Sequence, residues 1–450
     1  MLSRVPGDAL CSVFDDFDLG SRKAVIAAVS GGSDSTALLL LLQDHIRRHG
    51  LPAGIVAVTV DHRLRPESAA EAHAVAAFCA AHGITHRTVR WEGEKPATGL
   101  SAAARKARYT LLGRAAEAAG TDIVFTGHTL DDQVETVAMR RARGTGRGLA
   151  GMARATLHEG HTWLLRPLTE TSRETLRDYL RLKGVPWIED PSNENLRYER
   201  ARMRRLLAGH DGADPAPGLD EIRAAQAKRI ALADEAAFLI DRHLSRPAPG
   251  LYRIGGDFFA EAHGDAALYA FRVLLATVGG AEQLPDVART EALISAIRSG
   301  SLRATLSRAL VDARKGRVFL HREGRGLPHP GPVSDGMIWD NRFRVTGDRL
   351  AGLSIAPGIP AEKDRIPRGD APAGLATAAL AAEPALFRAD GSAPETEGNG
   401  TGASLAPVVA PFLHFLPCFD IAAARALARL TGSRDIPSPP LAGGETGRLT

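Results

Sequence analysis

Cysteine is scarce in this chain: Cys11, Cys79 and Cys418 are the only three in 450 residues, and they stand far apart. No CxxC pair occurs, so the sequence offers neither a zinc ribbon nor a ligand set for a cysteine-held iron–sulfur cluster. A sparse, odd set of thiols fits a reducing compartment. Apolar runs such as Ala37–Leu42 fall far short of a membrane span. Residues 1–20 carry acids where a secretory signal needs an apolar core. The commonest nucleotide loop, GxxxxGK[ST], is also missing, because no Gly-Lys pair exists. Net charge is only +4, with 56 Lys and Arg against 52 Asp and Glu. The informative feature is therefore where the arginines cluster. Together these absences describe a soluble cytoplasmic protein that does not enter membranes.

What is present has an ordinary globular composition, 44% hydrophobic and 24% charged, on a chain long enough for two or three domains. Lys23–Val29 is a short apolar run ending at a Gly pair and reads as a buried strand. Ser35–Arg48 follows with Leu38, Leu41, Leu42 and Ile46 on one helical face. Strands at Ala53–Val60, Thr85–Trp91 and Asp122–Thr126 alternate with helices at Glu67–His82, Leu100–Ala119 and from Asp131 onward. That alternation predicts an α/β fold, a Rossmann-like parallel sheet with helices on both faces. Ligands of such sheets sit beyond the carboxyl ends of the strands. Three polar loops, Ser30–Ser35, Asp61–Arg65 and Gly127–Asp132, fall there together.

The first of these loops reads directly as an anion cradle. In Ser30-Gly31-Gly32-Ser33-Asp34-Ser35 the glycines permit a tight turn that aims several N–H groups at one phosphate. The following helix adds the positive end of its dipole. Asp34 is out of place beside phosphates unless a cation intervenes, which makes it a candidate Mg²⁺ ligand. Capping of the helix by Ser33 or Asp34 is the competing use of the same residues. Gly146-x-Gly148-x-x-Gly151 matches the dinucleotide pattern in letters, but it follows a helical segment and is rejected as such a site.

The loop in this setting resembles the PP-loop ATP pyrophosphatases, and later motifs narrow the resemblance to the tRNA(Ile)-lysidine synthetases. Val60–Ser68 is similar to that family's VDHxLRxES segment, and Ala104–Tyr109 to its AR-x-x-RY helix. Gly127–Thr136 matches its GHxxDDQxET loop, and Arg143–Met152 its RGxG-x-x-GLxGM stretch. Arg166-Pro167-Leu168 and Trp187–Asn193 complete a series over about half the chain. Arg200-Ala201-Arg202-Met203-Arg204 departs from the family's R-N-R-I-R by lacking the Asn. The resemblance implies an enzyme that adenylates the C2 carbonyl oxygen of the wobble cytidine in isoleucine tRNA bearing CAU. The ε-amine of free lysine then replaces AMP. ATP is the co-substrate, Mg²⁺ the metal, and AMP and pyrophosphate the products of this carbon–nitrogen ligation.

On that basis Ser30, Gly31, Gly32, Ser33, Asp34, Ser35, Asp61, His62, Gly127 and His128 are expected to bind ATP. Asp34 with Asp131 or Asp132 is expected on the metal side. Arg105 and Arg108, three residues apart on one helix face, would supply cations to the phosphates. Asp131, Asp132 and Glu135 are the candidates to hold lysine and take its proton, with their roles not apportioned. Asp132 and Glu135 also fit an N-cap and its capping-box partner. Arg140, Arg141, Arg143 and Arg147 form one basic cluster, with Arg154 beyond it, and Arg197, Arg200, Arg202, Arg204 and Arg205 form a second. Both clusters are read as RNA-binding surface.

The expected organisation is a PP-loop catalytic domain over 1–214, a helical tRNA-binding domain over 215–325 and an α+β extension over 326–450. The extension contains a disordered stretch near 383–402 and a hairpin around Ile338–Val345. Residues 305–316 read as helix or turn before a strand at Arg317–His321, and the Arg298–Arg308 turns as a grip on the tRNA stem. Monomer or homodimer is left open. A cysteine-dependent tRNA thiolase is disfavoured by the lack of paired cysteines. A GMP or NAD synthetase leaves the arginine clusters and the C-terminal half unexplained. A decayed, merely RNA-binding relative is disfavoured by the intact phosphate loop.

Overall fold

The computed structural model describes residues 10–144, 146–189, 199–208, 216–261, 264–314, 316–358, 371–388 and 402–442. The chain separates into two compact units. The first comprises residues 1–229, 417–419 and 437–450, and the second comprises 230–416 and 420–436. The expected division into 1–214, 215–325 and 326–450 is a different cut of the same chain.

In the first unit, strands β1 (Ala24–Ala28), β2 (Gly54–Asp61), β3 (Thr85–Arg90), β4 (Ile123–Thr126), β5 (Ala155–His158) and β6 (Thr162–Leu165) lie in the order β5-β6-β4-β1-β2-β3. β1 pairs in parallel with both β2 and β4, and β6 in parallel with β4, whereas β5 runs antiparallel. The chain therefore leaves β1 in one direction and later returns on its other side. This switch point opens a crevice at the carboxyl ends of β1 and β4. Helices α1 (Ser33–Arg48), α2 (Ser68–Ala81), α3 (Leu100–Ala118) and α4 (Leu130–Ala142) follow β1 to β4 in turn. Val25, Ile26, Leu38, Leu41, Ile123, Val124 and Phe125 are fully buried, as the continuous apolar strand runs require. Helices α5 (Arg173–Leu182) and α6 (Glu199–Ala208) come after the sheet, and α7 (Leu219–His243) carries the boundary between units.

The second unit departs from the helical expectation. Beside α8 (Asp265–Gly279) and α9 (Val287–Ser299) it holds an antiparallel five-stranded sheet. Its strands are β7 (Leu244–Ala248), β8 (Leu251–Ile254), β9 (Leu302–Leu306), β10 (Ala309–Arg314) and β11 (Arg317–Arg322). Residues 305–316 are thus mainly a hairpin, not a helix. Ser307 and Arg308 turn it with φ of 52° and 66°. The turn is legible only in the backbone, because neither residue belongs to the Asn, Asp and Gly set that marks such turns. Gly279 lies against it so closely that a Cβ would collide with the Ser307 carbonyl oxygen.

The hairpin around Ile338–Val345 is present, with Asp340 and Asn341 at φ of 51° and 54°. Within the stretch expected to be disordered, Pro384–Arg388 forms a strand paired with Leu353–Pro357. Short alternating runs among many Ala and Pro residues concealed it. Residues 389–401 lie outside the described residues. Arg308, Arg322 and Arg342 converge on the buried Asp340 carboxylate, and Arg298 donates to the Phe259 carbonyl. Arg298 and Arg308 are therefore engaged inside the unit. No helix among the described residues is long and apolar enough to cross a membrane.

Candidate active site

The phosphate loop is self-organised. Ser35 Oγ accepts from the Ser30 N–H at 3.1 Å and donates to the Gly32 carbonyl at 3.1 Å. Gly32 occupies the N-cap position with no side-chain cap, so neither Ser33 nor Asp34 serves that purpose. Ser33 Oγ instead donates to Asp34 Oδ1 at 2.9 Å. Gly31 has φ +87°, and its carbonyl accepts from the Ile188 N–H at 2.9 Å. The Trp187-Ile188 segment thereby lies over the loop, where any Cβ on Gly31 would meet Ile188 at 2.7 Å.

The β4 loop comes against the same turn. At Gly127 a Cβ would stand 3.0 Å from the Asp34 backbone carbon and oxygen and 3.1 Å from Ser35 Cα. Glycine is what lets the two loops touch. Beyond it, Thr129 caps α4 and accepts from the Asp132 N–H, while Asp132 Oδ2 accepts from the Thr129 N–H at 2.9 Å. The capping box therefore joins Thr129 and Asp132, and Glu135 has no part in it.

These loops bring Asp34 and Asp132 onto one cation that sequence reasoning did not single out, Arg173 at the start of α5, and Asp131 onto the backbone N–H of the same residue. Its Nε donates to Asp34 Oδ2 at 3.0 Å, and another guanidinium nitrogen donates to Asp132 Oδ1 at 3.3 Å. Its backbone N–H donates to Asp131 Oδ2 at 2.7 Å. Burial drives the Asp34 carboxyl above its usual range and Arg173 offsets this only in part, so the net shift is upward. Hard carboxylate oxygens on a site of this kind suit Mg²⁺, and Asp34 and Asp131 are its candidate holders.

A cationic wall surrounds His128. Burial, then Arg166, Arg108, Arg105 and Arg200, hold its imidazole well below the usual range, so it is neutral. Thr126 Oγ1 and His128 Nδ1 lie 2.9 Å apart. His62 is likewise lowered, by burial and then Arg108, and packs edge-on to Trp91. Burial alone would raise Tyr109, but Arg166, Arg105 and Arg108 bring it below its usual range. Arg105 lies over the Tyr109 ring at 4.9 Å. Arg166, 3% exposed, was not picked out as a site residue, although an arginine at the end of the apolar strand Trp163–Leu165 was the available signal. Arg173 gave no such signal, since Ser-Arg-Glu at a helix start reads only as a cap. Asp61 organises its own loop by accepting from the Arg63 N–H at 2.8 Å.

Several expected RNA-binding arginines have partners inside the unit. Arg200 Nε and Arg204 Nε donate to the two oxygens of the buried Glu135 at 2.8 and 2.7 Å. Arg140 donates to the carbonyls of Gly148 and Gly151. Arg141 pairs with Glu221 and Arg143 with Glu199. Arg147 lies in the 3₁₀ turn Gly146–Ala150, which confirms that the glycines there do not follow a strand. Arg202 and Arg205 are exposed on α6, and Arg197 lies outside the described residues.

Comparison with known proteins agrees with this geometry. A family model described as PP-loop domain matches residues 10–210. The tRNA(Ile)-lysidine synthase of Mesorhizobium japonicum is 49% identical over 93% of this chain and 94% of its own length. That of Rhizobium meliloti is 39% identical over 93% of this chain and 94% of its own length. That of Brucella ovis is 42% identical over 77% of this chain and 79% of its own length. By its motifs, its paired loops at the switch point and this near-complete coverage, the chain belongs to the tRNA(Ile)-lysidine synthase family.

Proposed function

We propose that this chain is a cytoplasmic ligase that joins lysine to C2 of the wobble cytidine in isoleucine tRNA with a CAU anticodon, converting ATP to AMP and pyrophosphate. One observation carries the reading: Asp34 of the phosphate loop and Asp132 of the β4 loop share the Arg173 guanidinium, with Asp131 beside them on the Arg173 backbone N–H. The names of the relatives support the substrate.

In the first step the cytosine C2 oxygen attacks the α-phosphorus and the bond to pyrophosphate breaks. The loop N–H groups and the α1 terminus face the phosphates, and Mg²⁺, when bound, neutralises charge on the leaving pyrophosphate. Arg105, Arg108 and Arg166 make the opposite side positive and keep His128 an uncharged hydrogen-bonding group. In the second step the lysine ε-nitrogen attacks C2, the C2–O bond breaks and AMP departs. A carboxylate receives the amine proton. Glu135 is held by two arginines and Asp132 has one oxygen in the capping box, so Asp131 is the best placed to accept a new cationic group. Arg202 and Arg205, with the neighbouring basic side chains, face the tRNA. The target base lies in a single-stranded loop, so splaying it costs little.

The test is ATP-dependent transfer of labelled lysine to isoleucine tRNA transcripts with CAU, against methionine tRNA as control. Labelling of the isoleucine tRNA alone, lost in Asp34→Ala, is the expected result. Pyrophosphate release with another acceptor and no lysine transfer would overturn the substrate assignment and leave the ATP chemistry.

A further inference from the structure

At the far end of α1, twelve residues after its first residue Ser33 and on the order of 18 Å along the helix, three side chains form a constellation the proposed reaction does not use. His45 and His49 lie one turn apart on α1, and Asp15 approaches from the segment that precedes β1. His45 Nδ1 stands 3.6 Å from Asp15 Oδ1, and His49 Nε2 stands 3.9 Å from the same oxygen. All three ligand atoms lie within 4.8 Å of one another.

His45 supplies the second observation. Its side chain is 6% exposed, and Nδ1 is buried with no hydrogen-bond partner, facing the carboxylate at a distance too long for a bond. Burial, with His49 next, holds this imidazole below its usual range, and Asp15 and a backbone hydrogen bond at Cys11 offset them only partly. The Phe14 ring packs against it at 5.5 Å and fixes the ring in place. A buried imidazole, a second imidazole and a carboxylate whose ligand atoms lie within 4.8 Å of one another leave room for a cation between them.

We propose that His45 Nδ1, His49 Nε2 and Asp15 Oδ1 bind a borderline transition-metal dication, Zn²⁺ in the first instance, at a site separate from the nucleotide loop. Tetrahedral ligands about 2.0–2.1 Å from zinc lie roughly 3.3 Å apart. His45 need not move, and the other two, each 54% exposed, are free to close the small remaining gap. Two imidazoles and one carboxylate favour Zn²⁺, Co²⁺ or Ni²⁺ over Mg²⁺. The remaining positions go to water. Bound metal ties the segment at Asp15 to the carboxyl end of the helix whose other end cradles phosphate.

The full chain, stripped with chelator, is titrated with Zn²⁺ by calorimetry in excess Mg²⁺, beside His49→Ala and Asp15→Asn. Both changes are at exposed positions, and unchanged metal-free melting temperatures establish that the variants fold. The expected result is one equivalent bound by the wild type, at least tenfold weaker binding in each variant, and a Zn²⁺-dependent rise in melting temperature that only the wild type shows. Equal Zn²⁺ affinity in wild type and His49→Ala, or displacement by millimolar Mg²⁺, overturns the site. Lysine transfer is untouched by either outcome, so failure here is distinct from failure of the proposed reaction.

Discussion

Arg173 Nε reaches Asp34 Oδ2 at 3.0 Å and joins the first turn of α1 to the first turn of α5, 139 residues later in the chain. The link closes the crevice from a side that the sheet does not supply. It also places a permanent cation where the proposed reaction needs an exchangeable one, so Arg173 and Mg²⁺ would compete for the same carboxylates. In Arg173→Ala, Mg²⁺ alone should bind about tenfold more tightly, equivalent to ~1.4 kcal/mol, while ATP–pyrophosphate exchange slows. Calorimetric titration without nucleotide measures the first effect. An unchanged Mg²⁺ affinity would show that the guanidinium and the metal occupy different places.

Glu135 is nearly buried, yet the arginines that hold it, Arg200 and Arg204, are 37% and 36% exposed. Neutralising the carboxylate leaves two cations that can turn to water. Glu135→Gln should therefore cost about 1–2 kcal/mol, less than breaking a wholly buried pair. Urea unfolding measures this. A double-mutant cycle with Arg204→Ala should show coupling of at least ~0.5 kcal/mol, and additive effects would mean that the contact is idle.

The parallel sheet was legible because its signals are local. Short apolar runs at Val25–Val29 and Ile123–Phe125, each giving way to Ser or Thr and then a polar glycine-bearing loop, read as buried strands. The phosphate loop and Asp131-Asp132 were legible for the same reason. Arg173 was not, because its role depends on three carboxylates that come from two distant loops. The pairing of Glu135 with Arg200 and Arg204 is equally non-local, and their positive charge alone read as RNA-binding surface. In the second unit the two hairpin turns show the limit clearly. Asp340-Asn341 announces its turn, whereas Ser307-Arg308 adopts the same left-handed backbone with no residue that advertises it.

Gly127 tests how tightly the two loops must fit. The atoms a new Cβ would meet belong to the Asp34 and Ser35 backbone, so no flexible side chain can swing aside. Gly127→Ala should destabilise by about 1–3 kcal/mol through overpacking and weaken ATP binding by at least tenfold as the β4 loop is pushed off the phosphate turn. A melting curve and a nucleotide titration read the two effects. Wild-type values for both would mean that the loops have slack between them.

His128 gives a pH prediction with a definite sign. Burial and the surrounding arginines depress its folded pKa well below the ordinary ~6.5 of an unfolded histidine. Above pH ~6.5 it is neutral in both states and contributes no pH dependence. As pH falls below that value the unfolded chain takes up a proton that the folded chain refuses, so stability is lost with acidification. The slope from this one site approaches ~1.4 kcal/mol per pH unit. Asn at this position can keep the Thr126 contact without titrating. Stability measured by urea unfolding between pH 7.5 and about 5 should therefore fall less steeply in His128→Asn than in the wild type, by up to one proton's worth of slope. His45, His62, His86 and His321 are lowered as well. They are common to both proteins, so the difference isolates His128. Parallel curves would mean that His128 gains its proton in the folded state, and that the cationic wall does not close around it in solution.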